Sequence, residues 1–259
     1  MSAPGSGQAL DPATAGAIAG RFRATRWPPH RWHYFYALAK LRTDPLYPGV
    51  VDALRGTTAP LLDLGCGIGL LAHVLRAAGL RLPYRGVDND VGKVAIARNA
   101  AALGGVGDAL FEVGDLALGT PAHRGSVAIL DVLQFVAPDA QDRLLDAAIG
   151  MLVPGARLVV RTGLDDGKRR ARFTRGVDGL SRRVGWMNAG PGRYPDAAAL
   201  AARFEAAGLE AAFEPLRGRT PFNNWRIVAR LPQPGAQAGC AGASVAPDPA
   251  SMSPGSTAR

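Results

Sequence analysis

Lysine, cysteine and long apolar runs are what this 259-residue chain has least of. Its two cysteines, Cys66 and Cys240, are too few for a disulfide framework or a thiolate cluster, so no metal site is expected. No stretch reaches the roughly 18 consecutive apolar residues of a membrane span, and the N-terminus lacks the basic start and apolar core of a secretory signal. Those absences make the cytoplasm the expected location. Three lysines stand among 30 basic residues, so the net charge of +9 and the pI near 10.3 come from arginine. Such a charge suits nucleic acid, but an arginine-rich chain full of Ala, Gly and Pro is also what a GC-rich genome encodes. Nucleic acid is therefore disfavoured as a partner.

At 47% hydrophobic residues the chain can bury a substantial core. Residues 1–19 and 232–259 are dominated by Ala, Gly, Ser and Pro without apolar periodicity, and both are expected to be disordered. Residues 20–58 read as a helical, aromatic-rich extension or lid, and 59–231 as one domain. Within that domain short apolar runs alternate with helix-period stretches: strands at 60–64, 84–88, 109–115, 126–133, 156–162, 209–216 and 223–231, helices at 70–79, 91–104, 138–152 and 195–208. This alternation predicts an α/β fold, a doubly wound, Rossmann-like sheet of seven mostly parallel strands.

Between the first strand and its helix lies "LLDLGCGIGLLAHVL" (61–75). Glycines there let a ligand approach the backbone, and the following helix offers amide donors. The dinucleotide fingerprint G-x-G-x-x-G fails, because Gly65 and Gly67 are followed by Gly69, one residue early. The stretch instead resembles the D-x-G-x-G-x-G motif of class I S-adenosylmethionine-dependent methyltransferases, with the similarity running over about 59–231. That resemblance implies S-adenosylmethionine as cofactor and an antiparallel last strand. It implies that Asp63, Gly65, Cys66, Gly67 and Gly69 surround the methionine part. It further gives Asp88, with Asn89 beside it, the ribose hydroxyls, Asp115 and Leu116 the adenine, and Asp131 either a contact near the cofactor's ammonium or no more than a cap on strand 4. Cys66 also reads simply as a small buried hydrophobe.

The acceptor is less legible. Strand 4 lacks the Asn/Asp-Pro-Pro-aromatic motif of many amine methyltransferases and the Pro-Cys of pyrimidine C5 methylation. A finer resemblance, carried by "KLRTDPLYP" (40–48), "ILDVLQF" (129–135), "GWMNAG" (185–190) and "RTPFNNW" (219–225), is to methyltransferase-like proteins of aryl polyene and related polyketide or lipid pathways. It implies O- or C-methylation of a small hydroxyaryl or pigment-precursor acceptor, free or on an acyl carrier protein. The cationic segment 168–183 would then steer the acidic carrier, or form no more than a solvated face. Candidate acceptor residues are Tyr36, Arg42, Arg161, Arg219 and Asn223, although Arg161 also reads as the partner of a nearby carboxylate such as Asp165 and Asn223 as part of the turn into the last strand. His33 is the candidate base, with Gln134 standing where the related proteins have a histidine, a position at which glutamine can orient but not titrate. A non-catalytic cofactor-binding or carrier-interaction module and an RNA methyltransferase stay open as alternatives.

Overall fold

The structure is a computed structural model that describes residues 9–23, 31–164, 194–216 and 224–232. Its strands are β1 (Leu61–Leu64), β2 (Tyr84–Asp88), β3 (Leu110–Val113), β4 (Ser126–Leu130), β5 (Leu158–Gly163), β6 (Glu210–Pro215) and β7 (Asn224–Arg230). They form one sheet in the order β3-β2-β1-β4-β5-β7-β6. β1 to β5 are mutually parallel, and β7 inserts antiparallel between β5 and β6. The expected seven-stranded Rossmann-like fold is present. Because β1 continues to β2 on one side and its other neighbour is β4, the connections diverge at its carboxyl end, where α/β sheets open a ligand crevice.

Side-chain alternation assigns the two faces. Leu61, Ala128 and Val159 pack under α1 (Pro12–Gly20), α2 (Trp32–Thr43), α3 (Leu46–Leu54), α4 (Leu70–Ala77) and α5 (Val91–Leu103). Leu62, Leu64, Val127, Ile129, Leu158 and Val160 pack under α6 (Pro138–Gly150) and α7 (Ala197–Ala206). Both faces are covered, which is why the central strands read as continuous apolar runs rather than alternating ones.

Three expectations are corrected. Residues 12–20 are a helix, not a disordered segment: Asp11 caps it by accepting from Ala13 and Thr14 N–H, Pro12 sits in the first turn, and Ala15, Ile18 and Ala19 are buried. The helix docks on α2 and α4, where Arg21 Nη1 meets His73 Nδ1 at 2.9 Å and Phe22 stands edge-on to the same ring. Burial, with Arg21 adding to it, pulls the His73 pKa down to about 4, so the ring is neutral and accepts from Arg21. The second correction is β4, which stops at Leu130 because Asp131 turns into the left-handed region at φ 63 and a 3-10 turn follows at Leu133–Phe135. The third is β3, shorter than expected and ending at Val113 before Gly114. The expected tail beyond residue 232 lies outside the described residues.

Candidate active site

The glycine loop leaves β1 and is stitched to β2. Gly65 and Cys66 N–H both donate to Val87 O, at 2.7 and 3.0 Å. Gly67 N–H donates to Asp88 Oδ2 at 2.8 Å, and Asp90 N–H to Asp88 Oδ1 at 3.0 Å. Gly65 and Gly67 have φ of 82 and 56, which L side chains rarely adopt. Their surroundings differ. A Cβ on Gly65 would collide with Val132 Cγ2, whereas the same position on Gly67 faces open space. α4 begins directly after Gly69 with no side-chain cap, so its first amides are free of an intrahelical or capping acceptor.

Beneath the loop Asp63 is buried and accepts from Tyr84 Oη at 2.5 Å. Its Oδ1 has no partner among the described residues. Burial lifts the Asp63 pKa to about 7, with Asp88 adding to the rise and the Tyr84 hydrogen bond opposing it. Cys66 packs against Gly86, and burial together with Asp63 and Asp88 drives its thiol pKa far up, so it is an inert, small apolar residue of the loop. Asp115 is exposed beyond β3, Oδ1 accepting from Ala117 N–H at 2.9 Å, with Leu116 half-buried beside it and Asn89 exposed.

Four charges meet where β4 and β5 end. Arg161 Nη1 pairs with Asp131 Oδ2 and, at 3.2 Å, with Asp44 Oδ2. Lys40 Nζ lies 3.0 Å from Asp131 Oδ2 and 3.2 Å from Asp44 Oδ2. Asp44 also accepts from Leu46 N–H at 3.0 Å, so the α2–α3 junction is locked to this cluster. Asp131 precedes Val132, the residue against Gly65, so the cluster adjoins the glycine loop. Burial works against the charged form of Lys40, yet Asp131, with Tyr36 and Asp44, outweighs it and Arg161, leaving its pKa raised. Burial likewise opposes Asp131's charge, but Arg161 and Lys40 hold its pKa down.

This arrangement bears on two readings. Arg161, expected to bind acceptor, has only 6% of its side chain exposed and spends its guanidinium on Asp131 and Asp44. Asp131, read as near the cofactor's ammonium or as a cap on strand 4, has its side chain paired with Arg161 and Lys40. Arg42 is exposed on α2, outside the cluster, whereas Lys40, absent from the sequence-based candidates, enters it. Tyr36 sits one turn before Lys40 and acts electrostatically on it. His33 lies half-buried in the first turn of α2, near the exposed Trp32 and Phe35. Gln134 is buried, with Thr162 Oγ1 donating to its Oε1 at 3.4 Å. Arg219, Asn223 and the segment 168–183 lie outside the described residues.

The cradle fits the cofactor: the open face of Gly67, the unpartnered Asp63 Oδ1 and the carboxylate at the end of β2 are what a nucleoside with a charged amino-acid tail requires. Fold and site thus define the class: a Rossmann-like protein whose glycine loop and β2 carboxylate suit a nucleoside cofactor. No protein-family profile matches the chain. It is similar to the ubiquinone biosynthesis O-methyltransferases of Xylella fastidiosa strains M23 and Temecula1, 30% identical over 214 residues that cover 81% of this chain and 82% of the relative. The chain belongs to the S-adenosylmethionine-dependent methyltransferases, and S-adenosylmethionine is its cofactor. Solved structures with the same fold include PigF with SAH (22% identity, TM-score 0.57, 76% of this chain and 57% of that one). Magnesium protoporphyrin IX methyltransferase from Synechocystis PCC 6803 also shares it (19%, TM-score 0.54, 72% and 82%). The chain spans a little over half the length of PigF. No helix among the described residues is long and apolar enough to cross a membrane.

Proposed function

We propose that this chain transfers a methyl group to a hydroxyl oxygen of a small hydroxyaryl acceptor, of the pigment-precursor type and either free or attached to an acyl carrier protein. The observation that carries the reading is the Gly67–Asp88 cradle with its open glycine face, in a chain whose curated relatives are named O-methyltransferases. When bound, the cofactor supplies an electrophilic methyl on a sulfonium. The chain's own residues do the rest. Gly65 to Gly69 let the backbone approach the methionine part, and the first turn of α4 faces it with amide donors. Asp88 keeps lone pairs beyond its two amide contacts and accepts from the ribose hydroxyls. Asp115 and Leu116 take the adenine, and Asn89 lies beside the ribose.

Acceptor binding falls to the rim above β4 and β5, roofed by α2, with Tyr36 on that helix and Arg219 and Asn223 assigned from the sequence. Gln134 orients and does not take up a proton. Incubation with methyl-labelled cofactor and three pools (hydroxyaryl acids free and carrier-bound, total RNA, buffer alone) tests the reading, with mass spectrometry and NMR locating the methyl. Transfer to an aryl oxygen supports it; label in RNA, or on carbon or nitrogen alone, overturns it.

A further inference from the structure

We propose that Lys40 is the acceptor-binding cation of this site: anchored to Asp131 and Asp44, its ammonium presents its remaining N–H to the acceptor oxygen and holds it as the oxyanion. The inference deepens the proposed methyl transfer and rests on it. An ammonium has three donors. One is donated to Asp131 Oδ2 at 3.0 Å, Asp44 Oδ2 lies 3.2 Å away as an ion-pair partner, and no third partner is present among the described residues. The side chain is 24% exposed, against 6% for Arg161, so of the two cations only Lys40 has both a spare donor and access from outside. Its position follows from the same contact. Asp131 is the residue at which β4 ends, and its neighbour Val132 lies against Gly65 of the cofactor loop.

The groups facing Lys40 are Tyr36 from its own helix, Asp44 after it, Asp131 from the end of β4 and Arg161 from β5. The two carboxylates and two cations balance, so an arriving oxyanion meets no net negative charge. Neither Lys40 nor Asp131 is a base at neutral pH, since one is held protonated and the other ionised. The acceptor's proton therefore goes to neither of them, but to water or the candidate base His33, before transfer. An oxygen lone pair then forms the O–CH3 bond as the S–CH3 bond breaks, its electron pair staying on sulfur and cancelling the sulfonium charge. A fixed cation beside the oxygen lowers the cost of that first ionisation. In a chain whose cations are nearly all arginine, the residue here is one of three lysines, a compact point charge with a donor to spare.

The test is a spectroscopic titration of 4-nitrocatechol and 4-nitrophenol bound to the full chain saturated with S-adenosylhomocysteine, because the phenolate forms absorb in the visible. Wild type is expected to lower the bound probe's pKa by about one unit or more, roughly a tenfold gain in ionised fraction at fixed pH. K40M abolishes that shift and K40R, which keeps the charge and the ion pairs, preserves its sign, with S-adenosylhomocysteine affinity unchanged in both. An unaltered shift in K40M, or its loss in K40R as well, overturns the assignment to Lys40 while wild-type methyl transfer to phenols leaves the proposed function standing. Failure of wild type to bind or methylate any phenol overturns both.

Discussion

Asp88 holds Gly67 in place: the carboxylate at the end of β2 accepts the N–H of a glycine 21 residues earlier, at 2.8 Å, and so shapes the loop as well as offering oxygens to a ribose. Asp88 is buried, and removing its side chain orphans the Gly67 and Asp90 amides together. Asp88→Ala is therefore expected to lower S-adenosylhomocysteine affinity by about 1.5–3 kcal/mol, the value of hydrogen bonds to a charged group. A lower melting temperature accompanies it. Calorimetry and thermal unfolding on the same sample check both effects, and unchanged affinity in a folded variant would remove Asp88 from the site.

Gly65 and Gly67 separate folding from binding. Both pay the left-handed penalty when replaced, about 1–2 kcal/mol, but only a Cβ on Gly65 collides with Val132. Gly65→Ala should fall well below Gly67→Ala in melting temperature. Gly67→Ala should keep most of its stability and lose cofactor affinity, because its new methyl group occupies the open face. Equal affinities for Gly67→Ala and wild type would mean that the cofactor does not lie there.

Asp63 gives stability a pH slope of a particular sign. Its pKa rises from an ordinary 3.8 to about 7 in the folded chain, so between those values the native state binds the extra proton. Stability attributable to this group is full below pH 3.8 and declines as pH rises toward 7. Asp63→Asn removes that decline, and Tyr84→Phe, which deletes the hydrogen bond favouring the ionised form, extends it to higher pH. Denaturant unfolding at a series of pH values reads the slope; an identical slope in Asp63→Asn would show that Asp63 titrates normally.

Arg161 is expected to behave as a structural residue. Arg161→Met leaves Asp131 and Asp44 with Lys40 alone, and breaking a buried pair from one side costs about 3–5 kcal/mol. The unfolding free energy should drop by that amount, and the midpoint with it. An acceptor-binding role would instead lower kcat/KM with the midpoint held.

The elements and the cofactor loop were legible because their signals are local. Strands buried on both faces are mostly apolar, so β1, β4 and β5 announce themselves as runs broken only by residues such as Asp63 and Arg161. A loop whose φ angles are positive at Gly65, Gly67 and Gly69 has few residue choices, and its spacing from Asp88 is set by one helix and one strand. The N-terminal helix was less visible, since Ala15, Ile18 and Ala19 carry little hydrophobic signal, although Asp11-Pro12 is a cap in plain sight.

What the sequence by itself determined was the parallel sheet, the glycine turn and the carboxylate at the end of β2, each dictated by backbone sterics or burial within a single βαβ unit. Tertiary structure alone decided that α1 is ordered, that Asp131 pairs with Arg161, and that Lys40 rather than Arg42 joins that cluster. Lys40 and Asp131 are 91 residues apart, and Asp131 and Arg161 are 30 apart. An ion pair leaves no period or spacing in the chain, because it requires only that two oppositely charged groups arrive at one point, and the fold that brings Lys40 and Asp44 to Asp131 and Arg161 sets that point.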